Sequence, residues 1–245
     1  MFMNKKSVLI NTNGKNKTEF HCHTSNSFDC DISIGERLES LIKRKFTHVV
    51  ITDHDRNLSR KQVSYCKFKF PEINVINGIE VSSSYGHIIL IDCSYRPIIN
   101  SLWFIVLWAN IFSCQILIPH PARELTGLLD VFMRNGLSIK YVNWFIDKCT
   151  YFEVFNLRDS RKDKVDVNKV IFSRIMKLKP VIGSDSHFLD DIYEDGNTMN
   201  EVESDPQLIE NFINYFNLKH IELKFSYSEL WRTIKSTIKY LLRYT

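Results

Sequence analysis

Histidine and carboxylate residues recur along this chain in short motifs, each of which follows an apolar run. Six of the eight histidines lie in these motifs. Imidazole and carboxylate groups are the ligands that borderline and hard divalent metals take. A barrel builds one site from polar residues at the ends of several strands. Strands that each end in polar residues therefore fit this arrangement. The pattern therefore predicts a multinuclear metal site; the motifs are His21-Cys22-His23-Thr24, Asp53-His54-Asp55, Gly78-Ile79-Glu80, Gly86-His87-Ile88, Pro119-His120-Pro121 and Gly183-Ser184-Asp185-Ser186-His187.

Alternating strand-like and helical patterns supply the elements that must position these motifs. Strands that alternate with helices indicate parallel pairing within one domain. We find no internal repeat, low-complexity tract or flexible linker, which favours a single domain. The predicted strands are Glu19–His23, His48–Thr52, Ile73–Val81, His87–Asp92, Ile116–Ile118, Tyr151–Phe155 and Val181–Gly183, and the predicted helices are Ile34–Lys45, Leu58–Phe70, Asn100–Phe112, Glu124–Arg134, Ser138–Lys148 and Val165–Leu178.

Composition narrows the class of protein. A chain of 245 residues with 44% hydrophobic content can fold as one α/β barrel with a substantial core. The net charge of +4 is too small to argue for nucleic-acid binding by itself. Six scattered cysteines without a Cys-x-x-Cys pair indicate reduced thiols and a cytoplasmic protein, and we find no convincing signal peptide. Cys22 should face away from its histidine neighbours, because side chains alternate along a strand.

The motifs, in this order, resemble those of the PHP (polymerase and histidinol phosphatase) superfamily over residues 18–190. This resemblance implies a distorted (β/α)7 TIM-like barrel, metal-dependent phosphoesterase activity and two to three divalent metals (Zn, Mn or Fe). By resemblance, His21, His23, Glu80 and Asp185 hold the first metal, Asp29, His54 and His187 hold the second, and Glu80, as a bridge, holds the third with His87 and His120. Asp31 stays open as an alternative to Asp29, because Cys30-Asp31 stands where a glycine is usual.

The chemistry of phosphate esters agrees with such a site. Divalent metals neutralise the negative oxygens, lower the pKa of bound water from about 15.7 toward about 7, and hold the attacking and leaving oxygens. We therefore expect metal-bound water as the nucleophile and no protein nucleophile, and no Gly-x-Ser-x-Gly motif is present. Histidine ligands also need hydrogen-bond partners behind them; the candidates are Asp53, Asp55, Glu153 and Asn156.

The substrate is less constrained than the metal site. Arg123 and Arg158 should face the barrel mouth and can bind phosphate oxygens, although solvated loops are the alternative. The favoured function is a phosphomonoesterase acting on a small metabolite or nucleotide. One alternative is a phosphodiesterase or nuclease that trims nucleic acid ends, and another is a non-catalytic regulatory module. The basic but not aromatic segments after His54 and Asn156 favour the phosphatase.

Three segments are expected: an N-terminal extension (1–17), the metallophosphoesterase barrel (18–200) and a C-terminal helical extension (201–245). The helix around residues 102–112 is apolar nearly all round, so a second surface must cover it. We favour the amphipathic C-terminal helix beginning near Ser226, with a homo-oligomer contact as the runner-up. A transmembrane span is not expected, because a bilayer would separate His87 from His120.

Overall fold

The computed structural model describes residues 17–121, 123, 125–135, 138–156 and 178–190. Arg158, the predicted helix Val165–Leu178 except Leu178 itself, and the C-terminal extension lie outside these ranges. Seven strands form one sheet in chain order from β1 to β7. The strands are β1 (Thr18–Cys22), β2 (His48–Ile51), β3 (Asn74–Ser83), β4 (Gly86–Ile91), β5 (Gln115–Ile118), β6 (Tyr151–Asn156) and β7 (Lys179–Gly183), and the helices are α1 (Ile34–Lys43), α2 (Arg60–Lys69), α3 (Leu102–Phe112), α4 (Leu128–Arg134) and α5 (Ile139–Ile146).

Strand β4 runs against its neighbours, so the expectation of parallel pairing throughout is wrong here. β4 pairs antiparallel with both β3 and β5, whereas the remaining neighbours pair in parallel. Only Ser84 and Tyr85 separate β3 from β4, and a parallel crossover needs a much longer connection. The reversal brings His87, near the start of β4, opposite Ser82 near the end of β3.

The sheet curls until its first and last strands meet. The Asp185 amide donates to His21 O at 2.7 Å, and the His23 amide donates to Ser186 O at 3.1 Å. The α/β class is thereby confirmed. The complete (β/α)7 barrel stays a prediction, because residues 157–177 between β6 and β7 lie outside the described ranges.

Helix boundaries follow local signals. α1 begins with a capping box in which Ser33 Oγ accepts from the Glu36 amide and the Glu36 side chain accepts from the Ser33 amide. α4 begins at Leu128 rather than at Glu124, because Leu125 has a φ of 66° and cannot continue a right-handed helix.

Helix α3 has one face in the core and an apolar face outside it. Leu102 and Ile105 are fully buried, whereas Trp103 and Ile111 are 60% and 61% exposed. Within the described ranges, no helix has both the length and the apolar character that crossing a bilayer requires. The partner that covers α3 stays a prediction, because residues 201–245 lie outside those ranges.

Candidate metal centre

The structure brings the predicted ligand residues to one edge of the sheet. Parallel strands place their carboxyl ends together, and the reversed β4 adds its amino end to the same edge. The residues that meet there are His21 in β1, His23 and Asp29 after β1, His54 after β2, Glu80 in β3, His87 in β4, His120 after β5, and Asp185 and His187 after β7.

A first group has the dimensions of a tetrahedral ion site. His23 Nε2 lies 3.2 Å from His21 Nε2 and 3.1 Å from Asp185 Oδ1. Glu80 Oε2 lies 3.2 Å from His21 Nε2 and 3.3 Å from His23 Nε2. An ion bound at about 2.0–2.1 Å separates its tetrahedral ligands by about 3.3 Å. The spacing of these four side chains therefore suits a divalent ion.

Glu80 faces two sets of histidines with its two oxygens. While Oε2 serves the first group, Oε1 lies 2.9 Å from His87 Nδ1 and 3.1 Å from His120 Nε2. Glu80 is fully buried. One carboxylate between two groups of nitrogen ligands is the geometry of a bridging ligand.

A second group gathers around Asp29. Its Oδ2 lies 2.8 Å from His187 Nε2 and 3.5 Å from His54 Nε2, and His23 lies close enough to join the same group. Asp31 is exposed. Between the two open candidates, the geometry therefore favours Asp29.

Several buried polar atoms at this edge lack a hydrogen bond among the described residues. They include His54 Nδ1, His87 Nδ1, His120 Nδ1 and Asp29 Oδ1. His54 Nδ1 and His87 Nδ1 lie 3.3 and 2.9 Å from the Glu80 carboxylate, yet without hydrogen-bond geometry. Because buried polar atoms are normally paired, these atoms fit a site completed by cations.

Protons and metal ions compete for the ligand atoms of this site. Burial disfavours the imidazolium form of His54, but Glu80 and Asp29 outweigh it and raise its pKa to about 9. Burial raises the pKa of the Glu80 carboxyl, but the surrounding histidines outweigh that effect and hold it well below its ordinary value. His120 goes the other way: burial and then the Arg123 charge lower its pKa to about 4. Without metal the cluster thus mixes ionised carboxylates with both protonated and neutral imidazoles.

Comparison with known proteins agrees with the motifs. Residues 19–113 match the family model of the PHP domain. Over these residues, the predicted resemblance to the PHP superfamily is confirmed. No curated protein matches the chain in sequence.

Solved structures of similar fold include a protein described as a metal-dependent phosphoesterase from Bifidobacterium adolescentis. It is 12% identical with a TM-score of 0.52, over 71% of this chain and 88% of that one, which is a likeness in fold alone. An amidohydrolase from Chromobacterium violaceum with bound sulfate and no metal has a TM-score of 0.46 at 14% identity, over 70% and 87% of the two chains. Endonuclease Q, in complex with a duplex carrying an abasic lesion, has a TM-score of 0.47 at 16% identity, over 70% of this chain and 49% of that one. The last two likenesses are too loose to support a functional inference.

Behind the predicted ligands, Glu153 supports two histidines at once. Its Oε1 is hydrogen-bonded to His21 Nδ1 at 2.9 Å, and its Oε2 accepts from the His120 amide at 2.7 Å. Asn156 Nδ2 donates to the same Oε2 at 2.8 Å. Arg123 Nη2 donates to Asn156 Oδ1 at 2.7 Å, while its Nη1 pairs with Asp185 Oδ2 at 2.6 Å. Arg123 therefore lies beside the predicted ligands, whereas Arg158 falls outside the described ranges.

The other two candidates for support contact main chain or loop residues instead of histidine rings. Asp53 is buried and accepts from both the amide and the hydroxyl of Thr24. Asp55 Oδ1 accepts from the Ser82 amide and pairs with Arg96, each at 3.3 Å. Both carboxylates fix the loops around the candidate site rather than its histidine rings.

Sequence reasoning missed two residues, Ser27 and Glu19, that hold the predicted ligands in place. Ser27 Oγ is hydrogen-bonded to His23 Nδ1 at 3.1 Å and accepts from the His54 amide at 2.7 Å. Glu19 Oε1 accepts from the amides of His21 and Ser184 at 2.9 and 3.0 Å. Ser27 carries no motif, but a glutamate in the predicted apolar strand β1 was a visible signal of function.

The backbone at this edge is also constrained, at two predicted ligands and at one glycine. His120 and Asp185 have φ values of 26° and 53°, in the left-handed region that non-glycine residues rarely adopt. At Gly183, an added Cβ would collide with Glu153 Oε1 and would lie 2.6 Å from His21 Cβ. The glycine of the last motif is thus required by the close approach of β7 to the ligands and their support.

Proposed function

We propose that this chain hydrolyses phosphate esters at a centre of two to three divalent metals, and that its substrate is a phosphomonoester of a small metabolite or nucleotide. The observation that carries the proposal is the placement of Glu80. Its two oxygens face separate groups of histidines at 2.9 to 3.3 Å, so neighbouring ion positions share one carboxylate. Closely spaced metal ions are suited to phosphoryl chemistry, where both the attacking and the leaving oxygen carry negative charge.

The donor set favours zinc, manganese or iron. The converging ligands are imidazoles and carboxylates, which suit these metals. Cys22 does not join them, because its Sγ contacts Val50 O at 3.8 Å in the opposite direction. Bound metals would supply charge neutralisation and acidify a water molecule.

The protein residues contribute positioning and charge. Glu153 fixes the proton of His21 on Nδ1, which leaves Nε2 as the ligand atom. Ser27 Oγ is hydrogen-bonded to His23 Nδ1, and Ser184 Oγ donates to His21 O, so both hydroxyls position ligand residues. Arg123 is 22% exposed beside Asp185, so we propose that its guanidinium contacts a phosphoryl oxygen of the substrate.

The proposal can be tested with chelator-treated protein, re-supplied with Zn²⁺, Mn²⁺ or Fe²⁺. The assay compares p-nitrophenyl phosphate and small phosphomonoesters with bis(p-nitrophenyl) phosphate and short oligonucleotides. We expect metal-dependent hydrolysis with the monoesters cleaved fastest. Full activity without metal would refute the mechanism, faster cleavage of diesters would favour the phosphodiesterase or nuclease alternative, and metal binding without hydrolysis would favour a regulatory module.

Matched histidine variants complete the test. We expect His54→Ala to lower kcat/KM by more than about 100-fold, because loss of a ligand exceeds loss of a supporting partner, which costs about 10- to 100-fold. His48 lies outside the motifs and its Nδ1 is hydrogen-bonded to Thr47 Oγ1. His48→Ala should therefore retain activity within about threefold.

A further inference from the structure

Arg37 lies in the first turn of α1 with its side chain fully buried. A buried cation is costly unless its donors are satisfied. Its Nε donates to His23 O at 3.0 Å, Nη1 donates to Phe188 O at 3.1 Å, and Nη2 donates to Ser186 O at 3.1 Å. The fork of the guanidinium is therefore spread over three main-chain carbonyls, which a single ammonium group cannot reproduce.

These carbonyls belong to the two segments that carry predicted metal ligands. His23 follows β1, Ser186 lies between Asp185 and His187, and Phe188 follows His187. The guanidinium thus crosses the seam where the first and last strands of the sheet meet. Main-chain hydrogen bonds cross the same seam, such as that from His23 N to Ser186 O at 3.1 Å.

The turn after β7 is fixed at each successive carbonyl. Asp185 O is hydrogen-bonded to His187 Nδ1 at 2.8 Å, and His187 O accepts from Cys30 Sγ at 3.3 Å. Arg37 holds the carbonyls on either side of His187, and its Nη2 also contacts Cys30 Sγ at 3.8 Å. Arg37 and Cys30 together determine the path of the segment from which Asp185 and His187 project.

We infer that Arg37 is a positioning residue of the metal centre, because its guanidinium clasps the ends of β1 and β7 and sets the spacing of the ligands on both. This inference rests on the proposed metal-dependent function. The spacing concerned is that of His23 Nε2 and Asp185 Oδ1, 3.1 Å apart on the two sides of the seam. α1 can hold Arg37 in place because the start of the helix is fixed by the capping box of Ser33 and Glu36.

A purely electrostatic role makes the opposite prediction. A cation near the site repels a divalent metal, so removal of the charge alone should tighten metal binding. Loss of the clasp should weaken binding, since the ligands of the two strands would no longer be held at the spacing an ion requires. The sign of the change in affinity therefore separates the two roles.

The test is a Co²⁺ titration of the full-length, chelator-treated protein. Binding is measured by calorimetry and by the visible absorption of bound Co²⁺. Arg37→Met should lower Co²⁺ affinity about 10- to 100-fold and alter the absorption spectrum. Arg37→Lys keeps the charge but loses the fork, so its affinity should fall several-fold. Lys43→Met is the matched control on the same helix, because Lys43 is an exposed cation in the last turn of α1; it should bind Co²⁺ like the wild type.

Circular dichroism and thermal unfolding establish that each variant is folded. Unchanged or tighter Co²⁺ binding by folded Arg37→Met overturns the inference. If Arg37→Met does not fold, Arg37→Lys decides, and wild-type affinity with a wild-type spectrum in that variant overturns it. Wild-type protein that binds no Co²⁺ contradicts the metal centre itself and the inference with it, whereas failure of the inference alone leaves wild-type binding intact.

Discussion

Replacement of Glu153 by glutamine tests the support behind the metal centre with a change of one atom. The Glu153 side chain is buried and uses both oxygens as acceptors. Oε1 is hydrogen-bonded to His21 Nδ1 at 2.9 Å, and Oε2 accepts from the His120 amide and Asn156 Nδ2 at 2.7 and 2.8 Å. Glutamine offers one acceptor oxygen, so one of these two sides must lose its partner.

The magnitude follows from the two possible amide orientations. If the amide nitrogen faces His21, the imidazole must accept at Nδ1 and carry its proton on Nε2, the atom 3.2 Å from Glu80 Oε2 that should bind metal. If it faces His120 N instead, two buried donors lose their acceptor. The unpaired donors cost folding stability with or without metal, whereas loss of the supporting partner behind a histidine ligand lowers metal affinity or activity about 10- to 100-fold. We therefore expect metal affinity and kcat/KM to fall about 10- to 100-fold.

The assay is calorimetric titration of chelator-treated protein with Zn²⁺, together with kcat/KM for the best phosphomonoester. Glu19→Gln is the matched control, because Glu19 is equally buried and its Oε1 accepts from the amides of His21 and Ser184, which the oxygen of glutamine can still do. That control should bind Zn²⁺ within about threefold of the wild type. A folded Glu153→Gln protein with wild-type Zn²⁺ affinity would refute the reasoning.

Three further predictions concern pH and packing. Burial raises the pKa of Glu19 from 4.5 to about 6, so the metal-free wild type should lose about 2 kcal/mol of unfolding free energy relative to Glu19→Gln as pH rises from about 3.5 to about 7; an unchanged difference between the two proteins in urea unfolding across this range would contradict it. The pKa of His54 is raised to about 9 by the Glu80 and Asp29 carboxylates despite its burial, so a bound metal must displace a proton. The apparent metal affinity should therefore rise with pH up to about 9. Calorimetric titrations in buffers of different ionisation enthalpy should reveal the proton release. Gly183→Ala should weaken metal binding at least about tenfold, because the added Cβ would displace Glu153. Gly35→Ala is the control, because the nearest atom would lie 3.7 Å from its added Cβ, and it should not weaken binding. Equal metal affinity in both variants would exclude the packing argument.

Most of the secondary structure could be predicted from local pattern. The described strands and helices begin and end close to the predicted positions, because apolar periodicity and caps such as Ser33 are local properties of the chain. The direction of β4 was predictable in principle from its two-residue connection to β3. The start of α4 was not, since the left-handed conformation of Leu125 depends on the packing of the loop after β5.

The identity of the candidate ligands was also present in the sequence. Residue type limits which side chains can bind a divalent metal, and the order of the motifs along the chain carried the resemblance that the PHP match confirms. What the sequence could not supply is the geometry among these residues. Asp29 and Asp31 are equivalent by residue type, yet only Asp29 lies beside His187.

Tertiary structure alone decided which side chains share an ion position and which groups hold them there. Glu153 meets His21 across 132 residues of sequence, and Arg37 meets Ser186 across 149. Such contacts depend on the curl of the sheet and on the register that brings β1 to β7, so no local pattern encodes them. Sequence determined the chemistry available at the strand ends, because ligand chemistry resides in single residues; the fold determined the site, because coordination requires distances that only the closed sheet fixes.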